Sequence, residues 1–193
     1  SGLLEAMRGS WLADFGEQLQ IRELDVDVTE EQISRVHSKA HRAILDAAFS
    51  RVRQSRLPVS LDADTVASPG TEAAALRAAG LTVAAVDTVF ARDTEVRRVF
   101  VMARPPGHHA EPDKPGGFCF FNTVRIGVAH AEAVHGAQRI AVLDFDVHHG
   151  NGDSAMVWDR PDRLYASSHE SPLFPGTGAI PGRDGTFNQI PVS

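Results

Sequence analysis

The chain is poor in cysteine, in tyrosine and in positive charge, and each shortage closes off a class of explanation. Its one cysteine, Cys119, cannot form a disulfide within the chain. The fold is therefore not a disulfide scaffold, and it suits a reducing compartment such as the cytoplasm. Lys and Arg number 19 against 25 Asp and Glu, a net charge of −6. Nucleic-acid binding leaves a basic footprint, which this balance does not supply. No run of about 18 apolar residues occurs, so the sequence predicts no membrane span. The opening SGLLEAMRGSW lacks the basic start, apolar middle and small-residue cleavage site of a secretory signal. There is no internal repeat and no low-complexity tract.

What remains is an ordinary globular composition, 42% hydrophobic and 23% charged, in 193 residues. That length supports one domain with a real core, or part of a larger one. The segment LQIRELDVDVTEEQISRVHS reads as a short strand followed by a helix. Thr29 with Gln32 has the spacing of a capping box, and Ile33 and Val36 begin an apolar face, with His41 and Ile44 near it. Residues 57–70 carry Asp and Pro-Gly punctuation and read as a loop. Residues 71–91 form a helix of small residues suited to close packing. Apolar runs at 97–103 and 139–146 read as strands, with weaker candidates at 163–168 and 187–192. Between the first two lies a helical pattern over 122–136, closed by Gly136. Strands alternating with helices predict an α/β domain with a parallel sheet.

In such sheets ligands bind beyond the carboxyl ends of the strands. The polar clusters fall there: RPPGHH (104–109), DVHHGNG (146–152) and SSHESPLFPGTG (167–178). Asp146 and His148 are two apart. In an extended segment they point the same way, so a carboxylate and an imidazole can reach one cation. One Asp and one His suit zinc or another divalent first-row ion. Asp144 shares that face deeper in the strand and needs a partner there, a histidine or a second cation. His108 and His109 follow two stiffening prolines and Gly107. As neighbours they can serve as acid–base and electrostatic groups beside a metal. A capped turn with a surface histidine pair would use the same residues, but the density of metal-liking groups argues against it.

Other residues read as structural. His37 and His41 are four apart on a helix, without the Glu that a zinc helix carries, and far in sequence from the strand-end cluster. His130 and His135 read as helix residues. Cys119, between Phe118 and Phe120, reads as buried and inert. Phe118 follows a Gly-Gly loop and Phe174 lies in another loop; two facing rings would form a slot for an aliphatic chain.

The motifs RPPGHHA, GGFCFFN, DFDVHHGNG and FPGTG, in this order, resemble the zinc-dependent histone deacetylase family, which includes acetylpolyamine amidohydrolases and acetoin-utilisation proteins. TEEQISRVHS and SPGTEAAALRAAG look like its N-terminal helical elements, so the likeness covers nearly the whole chain. The HHGN form looks like the class II and bacterial branch. The resemblance implies an arginase/deacetylase α/β fold, a central parallel sheet flanked by helices. It implies Asp146 and His148 as zinc ligands, and His108 and His109 as the tandem catalytic histidines. Asp144 would support His108. Asn151 stands behind His109, where one branch has an Asp; a neutral Asn raises His109 basicity less. Asp144, Ser167 and the backbone carbonyls of Asp146, His148 and Ser168 would form a structural potassium site. Gly117 would line a substrate tunnel with Phe118 and Phe174. His149 receives no metal role. The implied reaction removes an acetyl group from an acetylated lysine side chain or an acetylated polyamine or small amine.

The family also has a third zinc ligand in a motif like GFDAH, a carbonyl-polarising Tyr in a Gly-rich segment, and a first strand before an HPE segment. None of these occurs here, and the one tyrosine, Tyr165, lies elsewhere. The expectation is a single domain over 1–193 that represents the N-terminal and central part of the family domain, without its C-terminal third. Its zinc content and activity alone are expected to be low. A non-catalytic relative using the fold as a binding module is the alternative; an arginase-like manganese hydrolase would need more carboxylates around Asp146 and His148. A rim acid is unassigned: Asp62 and Asp64 are near the right segment, but Ala67 stands two before Pro69. Homo-oligomerisation stays open.

Overall fold

The structure, a computed structural model, describes residues 2–158, 160–179 and 187–192. The chain opens with two short helices, α1 (Gly2–Ala6) and α2 (Leu12–Phe15), joined by a π-helical turn. Residues 19–28 are extended but join no ladder, so the expected short strand is absent. Thr29 and Gln32 form the reciprocal capping box and open α3 (Glu30–Ser34). The expected single helix then breaks. Ser38 accepts a hydrogen bond from the His41 N–H and starts α4 (Lys39–Ser55). Ser and Thr hydroxyls that cap one helix also stop the one before, because they offer the backbone a competing partner.

Residues 57–70 are more ordered than a loop. β1 (Val59–Ser60) and β2 (Val66–Ala67) pair antiparallel, with Asp62 in the turn accepting from the N–H groups of Asp64 and Thr65. Helix α5 (Thr71–Phe90) follows, then α6 (Thr123–His135), capped by Asn122 and closed by Gly136 in the left-handed conformation. Helix α5 is long and apolar enough to cross a membrane by length and composition alone. Here its small-residue face, Ala75, Ala79 and Val83, is packed into the main core with Ile33, Leu45, Phe49, Phe121 and Ile126. Arg77 on the same helix pairs with Asp25 and Asp27.

The sheet holds three parallel strands in the order β3 (Ile140–Asp144), β4 (Arg163–Glu170), β5 (Phe187–Val192). Short helix α7 (Asn151–Ala155) lies in the crossover between the first two. The parallel α/β expectation holds. The strand expected at 97–103 does not: that stretch joins no ladder among the described residues and exposes Val99, Phe100 and Met102. β-branched composition makes a segment fit a pleated surface, but a ladder needs a neighbour in register. On β4 the residues Tyr165, Ser167 and His169 alternate into the interior. Register sets Asp144 opposite Ser167, so the functional end of β3 lies beside the middle of β4.

Candidate active site

The loop after residue 103 and the loop after β3 meet at one point. The His108 carbonyl accepts from the N–H groups of Gly152 (2.9 Å) and Asp153 (3.3 Å), which stitches the first turn of α7 to the histidine loop. Gly150 is required in this join, because a Cβ there would press on the Asp144 carboxylate and the Tyr165 hydroxyl. Asn122, which caps α6, donates from its side-chain amide to the Ala110 carbonyl at 3.3 Å and holds the loop from its other side.

The two tandem imidazoles lie 3.9 Å apart, centre to centre, and differ in their supports. His108 donates from Nδ1 to Asp144 Oδ2 at 3.0 Å. Burial lowers its pKa, but the Asp144 hydrogen bond and charge outweigh that and raise it. Asp144 is itself held by the Tyr165 hydroxyl at 2.9 Å and by the Asp146 N–H at 3.1 Å. Burial raises the Asp144 pKa, but these partners and His108 bring it below the usual carboxylate range. His109 contacts Asn151 Oδ1 at 2.8 Å through Nδ1. The Asn151 amide nitrogen donates to Glu111 Oε1 at 2.7 Å. That fixes the amide oxygen toward His109, so Nδ1 carries the proton and Nε2 is left as a base. Burial first, then His108, lowers the His109 pKa to about 4.

Asp146 and His148 continue the same loop. Asp146 Oδ1 accepts from the His148 N–H at 2.8 Å and lies 3.0 Å from His148 Nδ1. A cation in place of the proton between them could be shared by both donors, so their chemistry fits a divalent ion. His108 Nε2 is 4.0 Å from the same carboxylate oxygen. Among the described residues no third His, Cys or carboxylate completes a metal-ligand group with this pair. Asp144 and Ser167 are neighbours, but the Ser167 hydroxyl bonds His169 Nδ1 at 2.8 Å. The Ser168 side chain lies on the exposed face, which leaves its backbone carbonyl as the group available to a cation.

A cleft of about 390 Å³ opens on His109 and Asn151, walled by Phe174, Leu61 and Asp62. The Phe174 ring meets the His109 ring edge-on at 4.9 Å. Gly117 has φ +54°, and any Cβ there would collide with the His109 imidazole, so the Gly-Gly loop can lie against that ring. The expected slot between two facing rings is only half built. Phe118 is 60% exposed and lines no part of this cleft. Its loop is held instead by the bond from the Phe118 N–H to Thr65 Oγ1 at 3.1 Å.

The structure thus gathers His108, His109, Asp144, Asp146, His148, Asn151, Gly117 and Phe174 at one point. Sequence reasoning missed two supports and left a third residue, Asp62, unassigned. Glu111 orients Asn151, Tyr165 buttresses Asp144, and Asp62 stands in the cleft wall. Only the punctuation around Asp62 carried any signal. Of the residues read as structural, His37, His41 and Cys119 are held inside the fold. His37 and His41 stack at 4.0 Å, His41 bonds the Phe120 carbonyl at 2.8 Å, and His37 accepts from the Asn122 N–H at 2.9 Å. Cys119 is buried and its thiol pushed up to about 12 by burial, hence unreactive. His149 is buried and contacts the Thr177 hydroxyl at 2.7 Å.

Comparison with known proteins agrees with this geometry. The family model described as the histone deacetylase domain matches residues 4–192. The chain belongs to the histone deacetylase family. It is 38% identical over 162 residues to the histone deacetylase-like amidohydrolase of Pseudomonas aeruginosa, covering 82% of this chain and 40% of that protein. It is 40% identical over 156 residues to histone deacetylase 14, chloroplastic, of Arabidopsis thaliana, covering 79% of this chain and 37% of the relative. The crystal structure of the HDA15 HD domain superposes with a TM-score of 0.81 at 28% identity, over 97% of this chain and 54% of that one. The chain therefore has the arginase/deacetylase fold and spans about two fifths of the length of these curated relatives. The deacetylase family is one of hydrolases that act on acetylated amides, and metal dependence is general in it.

Proposed function

We propose that this chain carries the tandem-histidine part of a zinc-dependent deacetylase acting on an acetylated lysine side chain or an acetylated polyamine or small amine. The supporting observation is the unequal pairing of the two imidazoles: His108 against a carboxylate, His109 against an amide oxygen. An amide hydrolysis needs a base for the attacking water and a positive group for the developing charge. His109 offers a free Nε2 and takes the water proton. His108, supported by Asp144, holds positive charge beside the carbonyl, and the dyad returns a proton to the departing amine. Zinc held by Asp146 and His148 would polarise the amide carbonyl and lower the pKa of water. Asp144, Asp146 and His148, with Ser167 and the Ser168 carbonyl, would hold a structural potassium ion.

The cleft against Phe174 excludes water from a methylene chain, with Gly117 leaving room beside the His109 ring. Asp62 stands in the wall, where its carboxylate can accept from a substrate N–H or ammonium. A cytoplasmic setting suits the single reduced thiol. The test is turnover of acetyl-lysine peptides and of acetylated polyamines by zinc-loaded protein carrying these residues. His109→Ala is expected to lower kcat/KM by about 10²–10⁴-fold, the usual range for a general base. Unchanged turnover in that variant overturns the assignment. A second reading, a non-catalytic binding module, is favoured by the two-donor pair at Asp146 and His148. Substrate binding without turnover at full zinc loading selects it.

A further inference from the structure

Three groups outside the active site converge where α5 and α6 end. Asp87 Oδ1 lies 2.7 Å from His130 Nε2 and 2.7 Å from His135 Nε2. All three potential ligand atoms lie within 4.8 Å of one another. The helices run side by side in the same direction. Gly127 faces Thr82 and Val86, His130 reaches Asp87, and the His135 ring stacks on Phe90 at 4.6 Å. Two C-terminal helix ends therefore meet at the cluster, and their partial negative charges favour a cation.

We propose that Asp87, His130 and His135 form a second metal site, for a divalent first-row ion such as zinc, cobalt(II) or nickel(II). Two imidazoles and one carboxylate suit these ions. His130 supplies an observation independent of the distances. It is 5% exposed, and its Nδ1 has no hydrogen-bond partner. Its polar contact is on the Nε2 side, toward Asp87. The buried ring is thus presented to the cluster by one nitrogen. With its proton on Nε2, given to Asp87, His130 leaves only the Nδ1 lone pair unmatched; an ion on Nε2 moves the proton to Nδ1, where a water would have to accept it. A buried polar atom left unmatched is uncommon and calls for an explanation such as an ion or a water.

The geometry needs only a small change. Ligand bonds of about 2.0–2.1 Å in a tetrahedral site set donors about 3.3 Å apart. An ion would thus replace the two hydrogen bonds and spread the donors by about half an ångström. Asp87 and His135 lie at the surface, and His135 can shift along the Phe90 face. Three protein ligands leave at least one position for water. Because the ion displaces protons from both Nε2 atoms, its affinity falls as pH drops. Bound there, it would clamp the ends of two helices in the main core layer.

The test separates this site from the candidate active site. In an Asp146→Asn/His148→Ala background, cobalt(II) is expected to bind one equivalent with visible d–d absorption, and zinc to raise Tm. Adding His135→Ala should weaken that binding about tenfold or more and abolish the Tm rise. The same His135→Ala change in the unsubstituted protein should leave acetyl-lysine turnover unchanged. Nitrogen-15 spectra of the unsubstituted chain give a readout that needs no variant: zinc should shift the Nε2 resonances of His130 and His135. No metal-dependent Tm rise in the background protein, a rise that survives His135→Ala, or unmoved Nε2 resonances would each overturn the proposal.

Discussion

The helical layer and the sheet of this chain are built to different standards. The helices bury a continuous apolar core in which Leu45 and Ile126 are fully enclosed. Among the described residues the sheet side has a smaller one, Val157 and Tyr165 with Val142 against them. Its outer face carries Leu143 at 70% and, just beyond β3, Phe145 at 90% exposure. Yet Asp144, Asp146 and His148 come from the sheet side, while His37 and Asn122 hold the histidine loop from the helical side. The larger described core lies in one region, and the candidate metal donors and Asp144 extend from the other.

Three experiments sharpen or break this contrast. Leu45→Ala should cost about 2–5 kcal/mol in chemical denaturation, because the site is enclosed and cannot collapse. A loss below 1 kcal/mol would mean the helical core is not the main store of stability. The second uses pH. Burial, with His41 beside it, lowers the His37 pKa to about 3, against about 6.5 in an unfolded chain. The unfolded chain then takes up the proton first. The stabilisation is complete above pH 6.5 and is lost as pH falls toward 3, by about 3 kcal/mol from His37 at pH 4. His37→Gln should flatten that acid limb; an unchanged limb places the acid sensitivity elsewhere. The smallest effect is expected on the sheet. Phe145→Ser should change stability by no more than about 0.5 kcal/mol, as for other exposed positions. A larger loss would show that the ring is packed in solution and the sheet face covered.

How much could be read from the sequence follows the same division. Helix ends were legible because caps are local chemistry: Thr29 with Gln32, and Gly136, act where their spacing puts them. The site residues were legible because Asp146 and His148 sit two apart and the histidine pair is adjacent. What depends on remote partners was not. The run at 97–103 has strand composition, but no residue in it states which neighbour would pair with it. The break between α3 and α4 hides inside a continuous apolar pattern, and Ser38 decides it. Glu111 and Tyr165 gain their roles only when loops 40 and 21 residues away are folded against them. Phe118 was placed by motif, and a positive φ of 66° turns its ring outward.

One hydrogen-bonded line crosses the divide. His37 Nδ1 bonds the Glu111 carbonyl at 3.1 Å, the Glu111 carboxylate holds Asn151 at 2.7 Å, and Asn151 holds His109 at 2.8 Å. The imidazole proposed to take the proton is thus levelled from the stiffer of its two mounts. Asn151 follows Asp146 and His148 in the same segment, so this line ties that segment to the helices as well. The setting of the proposed base against the candidate metal donors then depends on how the two halves are held together.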